Sequence, residues 1–433
     1  MAGCAAAVLL LGAAPAVAQP PYAPLDQPGP PLSVPVAKLR AALQCEPGVA
    51  HAKVEPVLLN PATGVTPVQN YSWNWEPALD KLGIPWCTYT APHSTLDNIE
   101  TSGEYLVYAI RTMHALAGRR IAVMGHSQGG MSMRWALRFW PDTGSMVDDV
   151  IGFSGSNHGT TVLPRALCAP GCPPADWQQL AGSNFIQALN SRAETFPGIS
   201  YTEVFSQTDE VVQPNKGPHA SAALHTGGGR ITNVATQDIC PHDLYEHLEI
   251  GTIDPVAYAL ASDALTHSGP ADVARIPKSV CSQTVMPGVS PTNLNLLLQV
   301  VAAGPGLISV AVGPLAGATT GAPVIKAEPP LACYVFAACT GAAAPKLQIR
   351  VRSRPGPLTV GQQTRLRVLV RVREGSRLVP VPGVSVSFAG RHARSGANGL
   401  ASLRIQPKHA RRYRLTASRA GCAAASKLLR VRP

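Results

Sequence analysis

Short apolar runs alternate with longer stretches of helical periodicity over roughly the first half of the chain. Runs at residues 55–60, 86–89, 121–124, 150–153, 201–205 and 231–235 have the length and composition of buried strands. Between them, residues 36–43, 75–82, 95–117 and 131–140 read as helices. The third of these carries apolar residues at 96, 99, 106, 107, 109, 110 and 113, and the fourth is stopped by Pro141. Strands alternating with helices predict an α/β fold, a doubly wound and mostly parallel sheet. In such a sheet the chemistry gathers at the carboxyl ends of the strands. After residue 346 the period changes to two. Segments 347–352, 364–372, 383–388, 400–405, 413–418 and 427–431 alternate apolar and polar positions, with glycine turns at 375, 390 and 396–399. That pattern predicts a small all-β Ig-like sandwich.

Composition adds boundaries and a compartment. The chain has 433 residues, 45% of them hydrophobic and 14% charged, enough for a large core and about two domains. Residues 1–18 read as a signal peptide: residues 5–14 are apolar and Ala16-Val17-Ala18 forms an A-x-A cleavage site, although a positive n-region is missing. The expected organisation is a signal peptide at 1–18, a Pro-rich arm at 19–35, the α/β domain at 36–340, a linker at 341–346 and the basic β-sandwich at 347–433. Secretion makes disulfides plausible among the nine remaining cysteines. Nearest-neighbour pairing joins Cys45 to Cys87, Cys168 to Cys172, Cys240 to Cys281 and Cys333 to Cys339, leaving Cys422 single, but spacing alone does not fix connectivity. No C-x-x-C or His-rich pattern suggests a metal, and no cofactor is implied.

The net charge of +11 misrepresents the α/β part. Residues 346–433 hold 20 Lys and Arg against Glu374 alone, whereas the rest carries 16 basic and 24 acidic residues. The basic module is expected to meet an anionic cell-wall polymer, lipid headgroups or an acidic polysaccharide, or else only to confer solubility. Specific nucleic-acid binding is not expected, because Phe388 and Tyr413 are the module's aromatics and base stacking lacks platforms.

The candidate chemistry begins at Gly125-His126-Ser127-Gln128-Gly129, a G-x-S-x-G motif between an apolar strand and a helix. On such a turn both glycines avoid crowding, the serine hydroxyl is lifted clear of the sheet, and free helix N–H groups lie beside it. A serine hydroxyl is a weak nucleophile that needs a base within reach and a carboxylate to orient that base. Asp209 lies in the loop after strand 201–205, and His242 and His247 follow strand 231–235. The order Ser…Asp…His is the one found in α/β-hydrolases. Asp148, Asp149 and Asp238 compete for the acid, but the first two precede strand 150–153, at its wrong end, and read as solvated surface groups. The loop at 61–66 is placed to supply half of an oxyanion hole.

Segments LLNPATG (58–64), WNWEPAL (73–79), SQGG (127–130), DWQQ (176–179), GSNF (182–185) and TDEVVQP (208–214) resemble, in order and spacing, the Candida antarctica lipase B-like family of serine lipases. The resemblance spans about residues 40–340. It implies a secreted carboxylic-ester hydrolase with Ser127 as nucleophile, Asp209 as acid, His247 as base, and Thr63 and Gln128 as oxyanion donors. It also implies the pairs Cys45–Cys87 and Cys240–Cys281. His126, Ser156, Gln179 and Val211 are expected to line the substrate pocket, Ser156 standing where that family has an acidic residue. His158 joins His126 at the pocket flank, and Glu210 is expected as a hydrogen-bonding neighbour. Trp73, Trp75 and Trp177 read as core. Residues 163–174 are expected to form either a pocket rim stiffened by Cys168–Cys172 or a plain surface loop. The resemblance also implies an apolar helix over 294–318 beside the pocket mouth, and Asn295, Gln299 and Gly304-Pro305-Gly306 argue against a membrane span there. A serine amidase or peptidase, a polyesterase and a non-catalytic adhesin are the alternatives.

Overall fold

Each apolar run expected as a strand is one. The computed structural model describes residues 22–162, 166, 168–290, 320–339, 347–353, 356–374, 377–396, 398–419 and 424–433. Among these, seven strands form the first sheet: β1 (Leu43–Cys45), β2 (Val57–Asn60), β3 (Trp86–Tyr89), β4 (Ile121–His126), β5 (Val147–Phe153), β6 (Ser200–Phe205) and β7 (Arg230–Ala235), in the order β1-β3-β2-β4-β5-β6-β7. All pairs are parallel except β1 with β3. The alternation of side chains across a strand feeds two cores. Leu58, Ile121 and Val123 pack with helices Ile99–Ala117 and Gln128–Phe139 on one face. Val57, Leu59, Ala122 and Met124 pack with Trp75–Leu82 and Pro255–Thr266 on the other. Both faces are covered, which is why these strands read as continuous apolar runs.

Three of the boundaries that differ from expectation bear on the site and its frame. The first helix ends at Ala42, and Leu43–Cys45 becomes the antiparallel edge strand, with Cys45 directly opposite Cys87 and disulfide-bonded to it. The long helix starts at Ile99, because the Asn98 side chain caps it and residues 93–95 take left-handed backbone angles. Strand β5 starts at Val147, which places Asp149 inside the sheet and buries it. Asp149 is therefore not a solvated surface group.

The other three nearest-neighbour pairs, Cys168–Cys172, Cys240–Cys281 and Cys333–Cys339, are also bonded. Buried polar side chains tie both flanking segments to the α/β unit. Glu104 accepts from Ser33 and Val34, and Trp140 Nε1 donates to Pro30 O at 2.9 Å, so the Pro-rich arm is docked. Glu328 accepts from the N–H groups of Asn184 and Phe185 at 2.9 and 2.8 Å.

Beyond residue 346 the fold is all-β. The strands are β8 (Gln348–Ser353), β9 (Leu358–Thr359), β10 (Thr364–Glu374), β11 (Arg377–Pro380), β12 (Ser385–Phe388), β13 (Arg391–Arg394), β14 (Leu400–Ile405), β15 (Arg412–Ser418) and β16 (Ala425–Arg432). Among the described residues they form a four-stranded and a five-stranded sheet around one core that includes Leu366, Val368, Val386, Phe388, Leu415 and Val431. The short β9, β11 and β13 were not expected, because two to four residues carry too little periodicity to stand out. The signal segment 1–18, the apolar stretch 294–318, the linker 341–346, Cys422 and residues 163–165 and 167 of the expected rim lie outside the described residues. Among the described residues no helix is long and apolar enough to cross a membrane.

Candidate active site

Ser127 sits between β4 and the helix Gln128–Phe139 with φ +57, a left-handed conformation that a serine adopts only where the surroundings impose it. Two glycines enforce the turn. A Cβ at Gly125 would lie 2.4 Å from Gly129 C, and a Cβ at Gly129 would lie 2.1 Å from Asn60 O. Strand, turn and helix therefore approach more closely than any side chain permits. Asn60 locks the contact by donating through Nδ2 to Gly129 O at 2.6 Å and to Ser132 Oγ at 2.9 Å. Tyr71 and Tyr89 donate in turn to Asn60 O and Oδ1, both at 2.5 Å. This buried brace was not foreseen, since its members lie on four separate elements.

His247 opens a short helix, His247–Ile250. Its Nε2 lies 3.0 Å from Ser127 Oγ and its Nδ1 lies 2.8 Å from Asp209 Oδ2. The other carboxylate oxygen of Asp209 accepts from the N–H groups of Val211 and Val212, each at 2.8 Å. All three side chains are buried. Burial works against the Asp209 charge, yet the adjacent imidazole and these hydrogen bonds hold its carboxyl below the ordinary value. Burial likewise disfavours a charged His247, but Asp209, Glu210 and Glu246 outweigh it and raise its pKa. Glu210 also accepts from the His247 N–H at 3.3 Å.

Beside Ser127 the polar groups converge. Thr63 Oγ1 donates to Gln128 Oε1 at 3.0 Å; Gln179 Nε2 reaches both, at 3.1 Å each; and Ser156 Oγ donates to Gln179 Oε1 at 2.9 Å. Gln128 is the first residue of its helix, so its N–H has no intrahelical acceptor. The Thr63 loop is held by Thr95, whose Oγ1 donates to Ala62 O at 2.6 Å and which has φ +67. Thr95 O accepts from Gln128 Nε2 at 3.1 Å. No local motif marks Thr95, and only tertiary contact reveals its part.

Two of the residues expected to line the pocket also make specific structural contacts. His126 is buried under the His247 segment. Its Nε2 meets His247 O at 2.8 Å, and Gly251 abuts its ring closely enough that a Cβ there would lie 2.3 Å from it. It braces the His247 segment, and burial followed by the charge on His247 depresses its pKa to about 3, which keeps it neutral. Val211 contributes backbone: its N–H holds Asp209 and its carbonyl accepts from Thr160 Oγ1 at 2.5 Å. His158 pairs with Glu194 at 2.7 Å, and Trp73, Trp75 and Trp177 are buried. His242, the rival candidate, lines a cavity of about 400 Å³ with Asp243, Tyr245 and Glu249. Among the described residues, Glu55, Asp148 and Asp149 bring carboxylate oxygens within 4.8 Å of one another, the spacing of a cation site. They lie at or just before the amino ends of β2 and β5, the end of the sheet opposite Ser127.

Residues 104–252 match the family model described as lipase (class 2). Over 243 residues the chain is 31% identical to lipase B of Pseudozyma antarctica, covering 55% of this chain and 67% of that protein. The chain belongs to the lipase B family. A crystal structure of Aspergillus fumigatus lipase B matches the fold of this lipase B relative with a TM-score of 0.63 at 29% identity, covering 74% of this chain and 77% of that one. The seven-stranded sheet of this family member is thus an α/β-hydrolase sheet, and its activity class is that of a serine ester hydrolase.

Proposed function

We propose that the protein is a secreted lipase or esterase working through an acyl-enzyme, with Ser127 as nucleophile, His247 as base and Asp209 as orienting acid. The observation that carries this is the unbroken hydrogen-bonded line from Asp209 Oδ2 through both nitrogens of His247 to Ser127 Oγ, at 2.8 and 3.0 Å. As Ser127 Oγ bonds to the ester carbonyl carbon, its proton passes to His247 Nε2. Asp209 keeps the other ring proton at Nδ1 and balances the imidazolium. The carbonyl oxygen becomes an oxyanion that accepts from the N–H groups of Gln128 and Thr63, each donor worth roughly 3–4 kcal/mol in such sites. His247 returns its proton to the leaving alcohol, and a water molecule deprotonated by the same ring then releases the acid.

The Thr63 hydroxyl is already satisfied by Gln128 Oε1, which leaves its N–H as the donor we assign. Gln179 and Ser156 line the acyl side of the site and set its polarity. The disulfides are compatible with an oxidising, extracellular location reached through residues 1–18. We further propose an α/β-hydrolase domain at residues 36–340, joined through 341–346 to an Ig-like module that meets an anionic cell-wall or polysaccharide surface.

Labelling of the mature protein with a fluorophosphonate, read by mass spectrometry, tests the assignment. The adduct belongs on Ser127 and disappears in Ser127→Ala and in heat-denatured protein. Ester hydrolysis by folded Ser127→Ala at the parent rate refutes it. A chain-length series of p-nitrophenyl esters beside matched anilides separates esterase from amidase action.

A further inference from the structure

The outer faces of the C-terminal sheets carry exposed arginine arrays. On the four-stranded sheet, alternation turns Leu366, Val368 and Val370 into the core and Arg365, Arg367 and Arg371 outward. Register places Arg404 of β14 directly opposite Arg365, and Arg350 of β8 directly opposite Leu369. Five arginines therefore share one face; the backbones of Arg365 and Arg404 stand about 5 Å apart across strands, and those of Arg365 and Arg367 about 7 Å apart along β10. Arg350, Arg365, Arg367 and Arg404 are exposed. Like charges placed directly opposite destabilise a sheet, and no carboxylate among the described residues relieves the Arg365–Arg404 pair.

A bound polyanion removes that repulsion. Of the 20 basic residues in 346–433, only Lys346, Lys408 and Lys427 are lysines. Solubility alone does not require arginine, whereas two-pronged recognition of phosphate or carboxylate oxygens does. Leu369, the apolar residue inside the array, is only 7% exposed, so the face offers no side chain to insert into a bilayer. The five-stranded sheet is also basic and sets Arg412 directly opposite Arg430, but Arg414 there donates to Ser426 Oγ at 3.0 Å, Arg411 stacks on Tyr413, and the exposed Leu428 stands opposite Arg414.

We propose that the β8–β10–β14 face binds a linear phosphodiester polymer of the polyol-phosphate kind and so tethers the hydrolase to an anionic cell envelope. This rests on the reading of the module as a binder of anionic surfaces. It does not depend on Ser127.

The test uses the full-length protein over immobilised poly(glycerol phosphate), read by surface plasmon resonance from 50 to 300 mM NaCl. Arg365→Ser/Arg367→Ser/Arg404→Ser is expected to weaken binding on the order of tenfold or more. The same variant should lower the salt slope by about 2, at ~0.7 for each phosphate that is no longer neutralised. Arg412→Ser/Arg414→Ser/Arg430→Ser on the other sheet should lose clearly less, and both variants should hydrolyse a soluble p-nitrophenyl ester at the parent rate. Should a variant fail to fold, the parent protein still decides: inorganic phosphate must displace the polymer at lower ionic strength than chloride. Equal loss from both sheets, equal displacement by phosphate and chloride, or tighter binding to phosphatidylglycerol vesicles, polygalacturonate or duplex DNA overturns the proposal. Polymer binding by a Ser127→Ala protein that hydrolyses nothing leaves the tether standing while the catalytic reading is judged separately.

Discussion

Replacing Gly129 with alanine is expected to cost activity out of proportion to its size. The new Cβ would lie 2.1 Å from Asn60 O and 2.9 Å from Pro61 O, both backbone atoms that no rotamer change can clear. Real Cβ contacts stay above 3.0 Å, so about 1 Å must be found by moving the helix Gln128–Phe139 away from β2. Asn60 resists that movement, since its side chain is bonded to Gly129 O and Ser132 Oγ and is gripped by Tyr89. The shift parts the Gln128 N–H from the Thr63 loop and carries Ser127 Oγ off the His247 line. A misplacement of about 1 Å at reacting groups costs on the order of a hundredfold, or roughly 2.7 kcal/mol of barrier. Overpacking adds about 1–3 kcal/mol of destabilisation, which is a fall in Tm of several degrees for a domain of this size. The assay is kcat/KM on p-nitrophenyl butyrate beside a thermal melt. Gly144→Ala, where a Cβ meets nothing within 4 Å, serves as the control and should change neither. If Gly129→Ala keeps more than half of the parent kcat/KM while Gly144→Ala behaves as stated, the steric account of the elbow is wrong.

Asp209→Asn should leave the fold intact and lower kcat on the order of 10⁴-fold, because an amide cannot hold the ring in the required tautomer or balance its charge; steady-state kinetics with a circular-dichroism check decides. His247 must be neutral to take the Ser127 proton, and its pKa is raised, so the acid limb of the kcat/KM profile should lie above the ordinary histidine value of ~6.5. Glu210→Gln removes a negative neighbour and should move that limb to lower pH, as a pH series shows directly. Burial together with facing carboxylates raises the pKa of both Glu55 and Asp149. The folded state therefore holds protons that the unfolded chain has released above pH ~4. Stability from this pair is complete in acid and declines as pH rises through neutrality, and Glu55→Gln should flatten the fall in Tm between pH 6 and 9. A Tm profile that Glu55→Gln leaves unchanged refutes the pairing.

Much of this protein was legible one segment at a time. The elbow could be read at residues 125–129 because its requirement is local: two positions without a Cβ, a strand before and a helix after. Central strands such as β2 and β4 were legible because both of their faces are buried, which favours apolar residues throughout. The chain order of serine, acid and base narrowed the histidines to His242 and His247. Choosing between them depended on a loop path of a few residues, and in the fold only His247 lies within reach of both Ser127 and Asp209. Asp149 was misjudged because β5 starts three residues before its apolar run; the backbone pairing with β4 and β6, not side-chain pattern, decides where a strand begins. The edge strand Leu43–Cys45 is too short to show a period and exists by pairing with β3. The contact of His126 with residues 247–251 joins positions far apart along the chain. Sterics and side-chain periodicity act within a few residues, so the sequence alone determined the elements and the chemistry available to them. Contacts among Asn60, Thr95, Gln128 and Gln179 join elements scattered over more than a hundred positions, and only the tertiary structure decided which side chains hold one another in place.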